Sequence, residues 1–225
     1  VGAINKVLKS VGEAKTRFSE DALRILRLFR FAATLDFTIE KNTFNAAIKC
    51  APSLKNISAE RIFVELQKLA NGTKPYVISP LLNTGCLDNY YLKNADLNAI
   101  SKLDNKTDLR TFALLNLTSY NLPNTLDSFK CSNSFKDYCL KMNYLVSNSI
   151  SDNKTAIKKA LNFSSTDIIF DTLLYYRDIL NIDITPHKLT LSEIIKNNEP
   201  YKISQLDISG SDITALGYDG KQVGE

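Results

Sequence analysis

Apolar positions recur along the chain at spacings of three and four almost everywhere, and that period predicts helices. The densest case is "SEDALRILRLFRFAATLDF", Ser19 to Phe37. Ser19, with Glu20 and Asp21 behind it, reads as a helix start: a capping hydroxyl, then acids at the positive end of the dipole. That helix is expected to reach about Leu35. Thr38 is expected to open the next, with Phe44, Ala47 and Ile48 on one face. Ser58 opens a third over "ISAERIFVELQKLANG", with Ile57 and Ile62 stapled across the cap and Gly72 as the stop. Gly85 closes a short helix. Leu109, Phe112 and Leu115 mark another, as do Phe135, Tyr138, Cys139, Met142, Leu145 and Val146. Ile169, Leu173, Tyr176 and Leu180 mark one more, and Thr190 to Asn197 a last. The linkers at 105–107, 147–153 and 181–187 are short and polar, as between packed antiparallel helices. No strand alternation and no repeat of fixed period is evident. The fold class expected is all-α, an elongated array of short antiparallel helices.

One helix breaks the simple pattern. From Glu20 to Leu35 apolar residues wrap most of the circumference, so the helix is buried on several sides. Yet Asp21, Arg24, Arg27 and Arg30 step through it by three. Each step turns about −60° and rises about 4.5 Å, so the four form a slowly turning polar ridge roughly 13 Å long. That is about the length of a nucleoside triphosphate from base to terminal phosphate.

The chemistry of such a ridge follows from its donors and acceptors. Asp21 beside Arg24 offers an acceptor next to a fork of donors. Cytosine and adenine present an amino donor beside a ring-nitrogen acceptor; uracil and guanine present a carbonyl beside a ring N–H. An Asp/Arg pair therefore suits C and A, and rejects U and G by leaving buried polar groups unpaired. Arg27 and Arg30 lie where phosphates could be held by charge-assisted bonds. A plainer reading stands beside this one. Glu20–Arg24 and Asp21–Arg24 are i,i+4 and i,i+3 pairs, each worth about 0.2–0.5 kcal/mol on a surface. The arginines would then cap a solvated face or bridge to acids elsewhere.

Composition narrows the classes. The 225 residues are 44% hydrophobic and 23% charged, which suits a globular protein and excludes a disordered one. With 28 Lys+Arg against 24 Asp+Glu, a net +4, a nucleic-acid partner is permitted if the positives cluster. No apolar run approaches the roughly 20 residues of a membrane span, so no membrane role is expected. Cys50, Cys86, Cys131 and Cys139 form no CxxC pair, and with a single histidine no metal site is expected in the chain. Reduced thiols fit a cytoplasmic protein. The chain opens without Met and closes on "GYDGKQVGE", which reads as another helix beginning, so both ends are expected to be cut.

Three blocks carry a family resemblance. "RFSEDALRILRLFRFAATLDFTIE" resembles the neck motif of the class II tRNA nucleotidyltransferase and poly(A) polymerase family, with Arg17, Phe18, Glu20, Asp21, Arg24, Arg27, Arg30, Phe31 and Ala32 matching. "ISAERIFVELQKL" is similar to the next family motif. "ISQLDISGSDITALGYDGKQVGE" is similar to the start of the family's tail, with Ile213 where that pattern has Leu. The specific blocks are roughly 17–40, 57–69 and 203–225; between them only helix count and spacing agree.

The resemblance implies an enzyme that restores the CCA end of tRNA from CTP and ATP without a template. It implies that Asp21 and Arg24 pair with the incoming base, that Arg27 and Arg30 also bind nucleotide, and that Glu20, Glu60 and Arg61 support them. It divides the chain into a neck over 1–72, a helical body over 73–200 and the start of a tRNA-contacting tail over 201–225. The family's catalytic head supplies a Gly-Ser motif and an Asp-x-Asp pair for two Mg2+ ions. No such motif is found here, so this chain is expected to bind without catalysing unless the head is provided elsewhere. A bacterial poly(A) polymerase, an enzyme adding only CC or A, a non-catalytic helical RNA-binding module and a plain helical scaffold remain alternatives. His187 is expected at the surface of a linker. Of Tyr90-Tyr91 and Tyr175-Tyr176, one of each pair is expected in the core. Lys154, Lys158 and Lys159 are read as a solvated helix face that could meet phosphate, and "DGKQVG" as a candidate phosphate contact.

Overall fold

A β-hairpin precedes the first helix. β1 (Gly2–Ile4) runs antiparallel to β2 (Val7–Lys9), and Asn5 and Lys6 between them both take positive φ, 52° and 61°. Two left-handed residues in a two-residue loop match the right-handed twist of the strands. β3 (Thr38–Ile39) adds in parallel, Val7 opposite Thr38 and Leu8 opposite Ile39. Thr38 therefore does not open a helix. The computed structural model, which describes residues 2–206 and 210–215, is otherwise helical.

The long first helix of the sequence reading is two helices. α1 (Ala14–Glu20) stops at Asp21, whose backbone is extended at φ −150° and ψ 103°, and α2 (Leu23–Leu35) starts after Ala22. Ser19 is no cap. It lies inside α1, where its hydroxyl donates to the Lys15 carbonyl at 2.9 Å. The cap of α1 is Glu13, well before the Ser19 that the pattern suggested, accepting from Thr16 N. Glu40 likewise caps α3 (Lys41–Cys50), accepting from Thr43 N and Oγ1 at 2.8 Å each. α4 (Ala59–Ala70) begins where expected, after Ser58, although the Ser58 side chain makes no capping bond.

α2 and α4 pack along their length, and Gly72 permits it. A Cβ on Gly72 would lie 2.7 Å from the Ala33 carbonyl oxygen, so the residue is glycine for close approach, with no positive φ. That oxygen also accepts from Thr73 N, Lys74 N and Thr73 Oγ1 at 2.9, 3.1 and 2.9 Å. The short α5 (Ser79–Leu82) does end near a left-handed glycine, Gly85 at φ 72°.

The remaining helices are α6 (Thr107–Thr118), α7 (Leu122–Ser128), α8 (Asn133–Asn148), α9 (Lys154–Phe163), α10 (Thr166–Asp178), α11 (Thr185–Lys196) and α12 (Gly210–Ala215). They build two cores. One runs from Leu8 through Phe29, Leu66 and Phe112 to Tyr175; the other gathers Leu145, Ile157, Leu173, Tyr176, Leu191 and Ile194. α10 lies between them, which is why Tyr175 and Tyr176 are both buried rather than one of the two. Tyr175 faces the first core and donates to Asn116 Oδ1 at 2.7 Å; Tyr176 faces the second and donates to the Leu145 carbonyl at 2.7 Å. His187 is also buried, not on the surface. Pro186 sits in the first turn of α11, so the linker ends sooner than the sequence suggested and His187 Nε2 meets the Ile150 carbonyl at 2.8 Å. Of the first tyrosine pair, Tyr90 is buried and Tyr91 half-buried.

All four cysteines are free, and burial pushes the Cys86, Cys131 and Cys139 thiols up, Cys131 to about 11. No helix among the described residues is long and apolar enough to cross a membrane. Residues 207–209 and 216–225, including "DGKQVG", lie outside the described residues.

Candidate functional site

The polar ridge starts at the break between α1 and α2. Asp21 Oδ1 accepts from Leu23 N at 3.1 Å, so the acid caps the helix that carries the arginines. Its other oxygen, Oδ2, lies 3.5 Å from Arg61 Nη2, reaching over from α4. Neither contact closes off the carboxylate, whose side chain remains 30% exposed.

Arg24 is the second residue of α2. Its Nη1 donates to Glu20 Oε2 at 2.5 Å and to the Arg17 carbonyl at 2.9 Å. Glu20 takes Arg17 Nη1 on the same oxygen at 3.1 Å. The Arg24 guanidinium first, and Arg17 second, hold the Glu20 carboxyl below its usual range. Glu20 thus keeps one end of the Arg24 fork in place, and Nε and Nη2 make no bond to a described residue. Arg17, Phe18 and Arg24 line a cavity of about 240 Å³ with Ser10 and Val11.

Arg27 is exposed and makes no ion pair or hydrogen bond to any described residue. Arg30, one turn further, is different. Its Nε lies 2.7 Å from Glu65 Oε2, with only 17% and 9% of the two side chains exposed. Its guanidinium carbon stands 3.9 Å from the centroid of the Phe31 ring. The two residues expected to support the site divide: Arg61 reaches Asp21, whereas Glu60 pairs with Lys130 Nζ at 2.8 Å, which lowers the Glu60 carboxyl and ties α4 to the loop before α8.

Sequence reasoning missed Glu65. Its signal was present, since a lone acid interrupts the apolar stripe of Ile62, Leu66 and Leu69 on α4. Arg110 was missed for the same reason, a lone guanidinium among Leu109, Phe112 and Ala113. On the body, Lys154 pairs with Glu193 and Glu199 and Lys158 with Glu199, while Lys159 stays exposed.

A cavity of about 620 Å³ lies elsewhere. Phe29, Ala32, Phe37, Phe44, Tyr76 and Val77 are among its walls, and none of the ridge residues is. On an ideal helix Phe29 and Ala32 project roughly 100–160° away from Arg27 and Arg30, so α2 divides its faces between cavity and ridge. Among the described residues no three His, Cys, Asp or Glu side chains come together in a way that could hold a metal ion. These residues offer no set of ligands for Mg2+.

A family model described as the probable RNA and SrmB-binding site of polymerase A matches residues 36–90. The CCA-adding enzyme of Streptococcus sanguinis (strain SK36) is 58% identical over 65 residues, 29% of this chain and 16% of that protein. That of Streptococcus mutans serotype c is 38% identical over 143 residues, 58% of this chain and 35% of that protein. The crystal structure of the Bacillus stearothermophilus CCA-adding enzyme in complex with CTP superposes with a TM-score of 0.73 at 20% identity, over 96% of this chain and 57% of that one.

Over these stretches the chain is similar to CCA-adding enzymes. The matched regions span about a sixth to a third of the length of these two curated relatives. At 20% identity the structural likeness speaks for the fold alone, and it extends across nearly the whole chain. The likeness therefore includes the 73–200 stretch, where the sequence resemblance rests only on helix count and spacing.

Proposed function

We propose that this region is the nucleotide-selecting and tRNA-binding part of a cytoplasmic CCA-adding enzyme. Asp21 and Arg24 read the pairing edge of CTP or ATP, while Arg27 and Arg30 hold the phosphates. The observation that carries this reading is Arg27: an exposed, unbonded guanidinium between two anchored ones on a helix whose apolar residues are mostly buried. A solvated surface helix would pair such a residue or leave its neighbours loose. Glu20 and Arg61 support the base-reading pair through Arg24 and Asp21; Glu60 supports it only indirectly, by fixing α4 against the body. In this reading 1–72 is the neck, 73–200 the body and 201–225 the beginning of a tail that contacts tRNA. The two Mg2+ ions and the phosphoryl-transfer chemistry belong to a head domain outside these helices.

The test is a titration of the intact protein with CTP, ATP, UTP and GTP. CTP and ATP should saturate at least about tenfold more tightly than UTP and GTP, since each mispaired edge leaves a buried polar group unsatisfied. Equal affinity for all four would remove the base-reading role. Binding of ATP alone would favour a poly(A) polymerase, the enzyme for which the matched model is named.

A further inference from the structure

We propose that the cavity of about 620 Å³ on the other face of α2 is a binding site for an aromatic amine, a flat apolar body that carries an ammonium group. The site shares no residue with the arginine ridge and does not depend on nucleotide binding there. Its walls set the body of the ligand. Phe29 and Leu97 are buried in the lining, and Phe37, Phe44 and Tyr76 add three more rings. Phe29 and Phe44 meet edge to face with centroids 6.1 Å apart. The volume lies within the roughly 300–1,000 Å³ of small-molecule sites, and a planar ring suits aromatic walls.

Three ionic groups set the charge. Asp36, Asp96 and Lys74 line the cavity, two carboxylates against one ammonium, a net of −1 in a chain of net +4. That sign repels nucleotide and RNA phosphates and favours a cation. Lys74 is already committed, its Nζ to Asp36 Oδ1, and Asp36 Oδ2 bonds no described residue. Asp96 Oδ1 accepts from Asn98 N and Nδ2 at 2.9 and 2.8 Å, while its Oδ2 bonds no described residue. An incoming ammonium therefore finds two open carboxylate oxygens with aromatic rings beside them.

Asp36 also stands where the fold gains little from an acid. It takes φ 56° directly after α2, the left-handed position that glycine or asparagine usually fills. Its charge lies at the negative pole of the helix dipole. Its pair with Lys74 joins two partly exposed side chains and contributes little. A ligand that needs the carboxylate explains an acid held against both preferences.

The experiment uses three indoles that share a body and differ in charge: tryptamine, tryptophol and indole-3-propionate. Each is titrated by ligand-observed NMR against the intact protein, Asp36→Asn and Asp96→Asn. Tryptamine should bind at least about fivefold more tightly than tryptophol, and indole-3-propionate most weakly. Both variants should bring tryptamine toward the affinity of tryptophol and leave tryptophol within about twofold of the parent. Asp36→Asn should lose more than Asp96→Asn, because it also frees Lys74 to repel the amine. Its melting temperature should not fall, since asparagine suits the left-handed cap and takes the charge off the helix end. Equal affinity for tryptamine and tryptophol, unchanged tryptamine affinity in either variant, or no detectable binding of tryptamine would overturn the inference. A marked fall in the melting temperature of Asp36→Asn would count against it too, because the acid would then serve the fold. If Asp36→Asn fails to fold, Asp96→Asn, which keeps an oxygen for Asn98, carries the comparison.

Discussion

Arg110 and the ridge arginines are the same side chain in opposite conditions. Arg110, on α6, is buried and has every donor committed: Nε to the carbonyls of Leu103 and Asp104, Nη1 to those of Asn71 and Gly72, and Nη2 to those of Ser101 and Leu103. It gathers carbonyls from the end of α4 and from the 3-10 turn at Asn98–Lys102, so it ties α6 to both. Burial lowers its pKa from the usual guanidinium value. Arg24, Arg27 and Arg30 keep donors uncommitted, and the ones that are held are held at a single nitrogen. A guanidinium whose five N–H groups are all used supports structure. One that is braced at one edge and open at the other is arranged to meet something that the chain itself does not supply.

The contrast can be broken at several points. Arg110→Ala should have the largest effect, a loss of about 3 kcal/mol or more in chemical denaturation, because it orphans buried carbonyls at two chain segments at once. A loss under about 1 kcal/mol would mean that water replaces the fork without penalty. Gly72→Ala should cost about 1–3 kcal/mol, since its Cβ would collide with backbone at Ala33 and not with a side chain able to turn aside. Arg27→Ala should leave stability within about 0.5 kcal/mol and still weaken CTP about tenfold; a destabilised variant would put Arg27 in the class of Arg110. Glu199→Gln should matter least. Its carboxyl, held at about 2 by hydrogen bonds from Lys154 and then Lys158, is partly exposed and belongs to a screened surface cluster of charges. Because the folded pKa lies below the usual 4.5, its contribution is complete above about pH 4.5 and disappears as pH falls through about 2. The small difference in melting temperature from the parent protein should close over that window, and a gap that widened toward acid would reverse the sign.

The sequence made the ridge and the all-α architecture legible, because both depend on local period. It hid whatever depends on distant partners. β3 is two residues long and pairs with Val7 and Leu8, some thirty positions earlier, so no alternation could announce it. The break at Asp21 was hidden because the apolar pattern of α1 continues through it in phase. Its sign was Asp21 itself, whose carboxylate could cap a helix beginning two residues later. Glu65 and Arg110 read as blemishes in apolar stripes, and only the fold shows that each faces a partner across a helix pair or a turn. Of the candidate site, the identity of the ridge residues was available from spacing, whereas their division into anchored and open donors was not.

The most direct measurement is the affinity ratio of CTP to UTP in Asp21→Asn. The variant keeps an oxygen on Leu23 N, so the cap of α2 survives and melting should shift by no more than about 2 °C. The outward atom becomes an amide nitrogen, a donor where the carboxylate accepted. If Asp21 reads the pairing edge, the preference for CTP should fall at least about tenfold, toward parity with UTP. A variant that folds normally and keeps the parent's ratio would contradict the account.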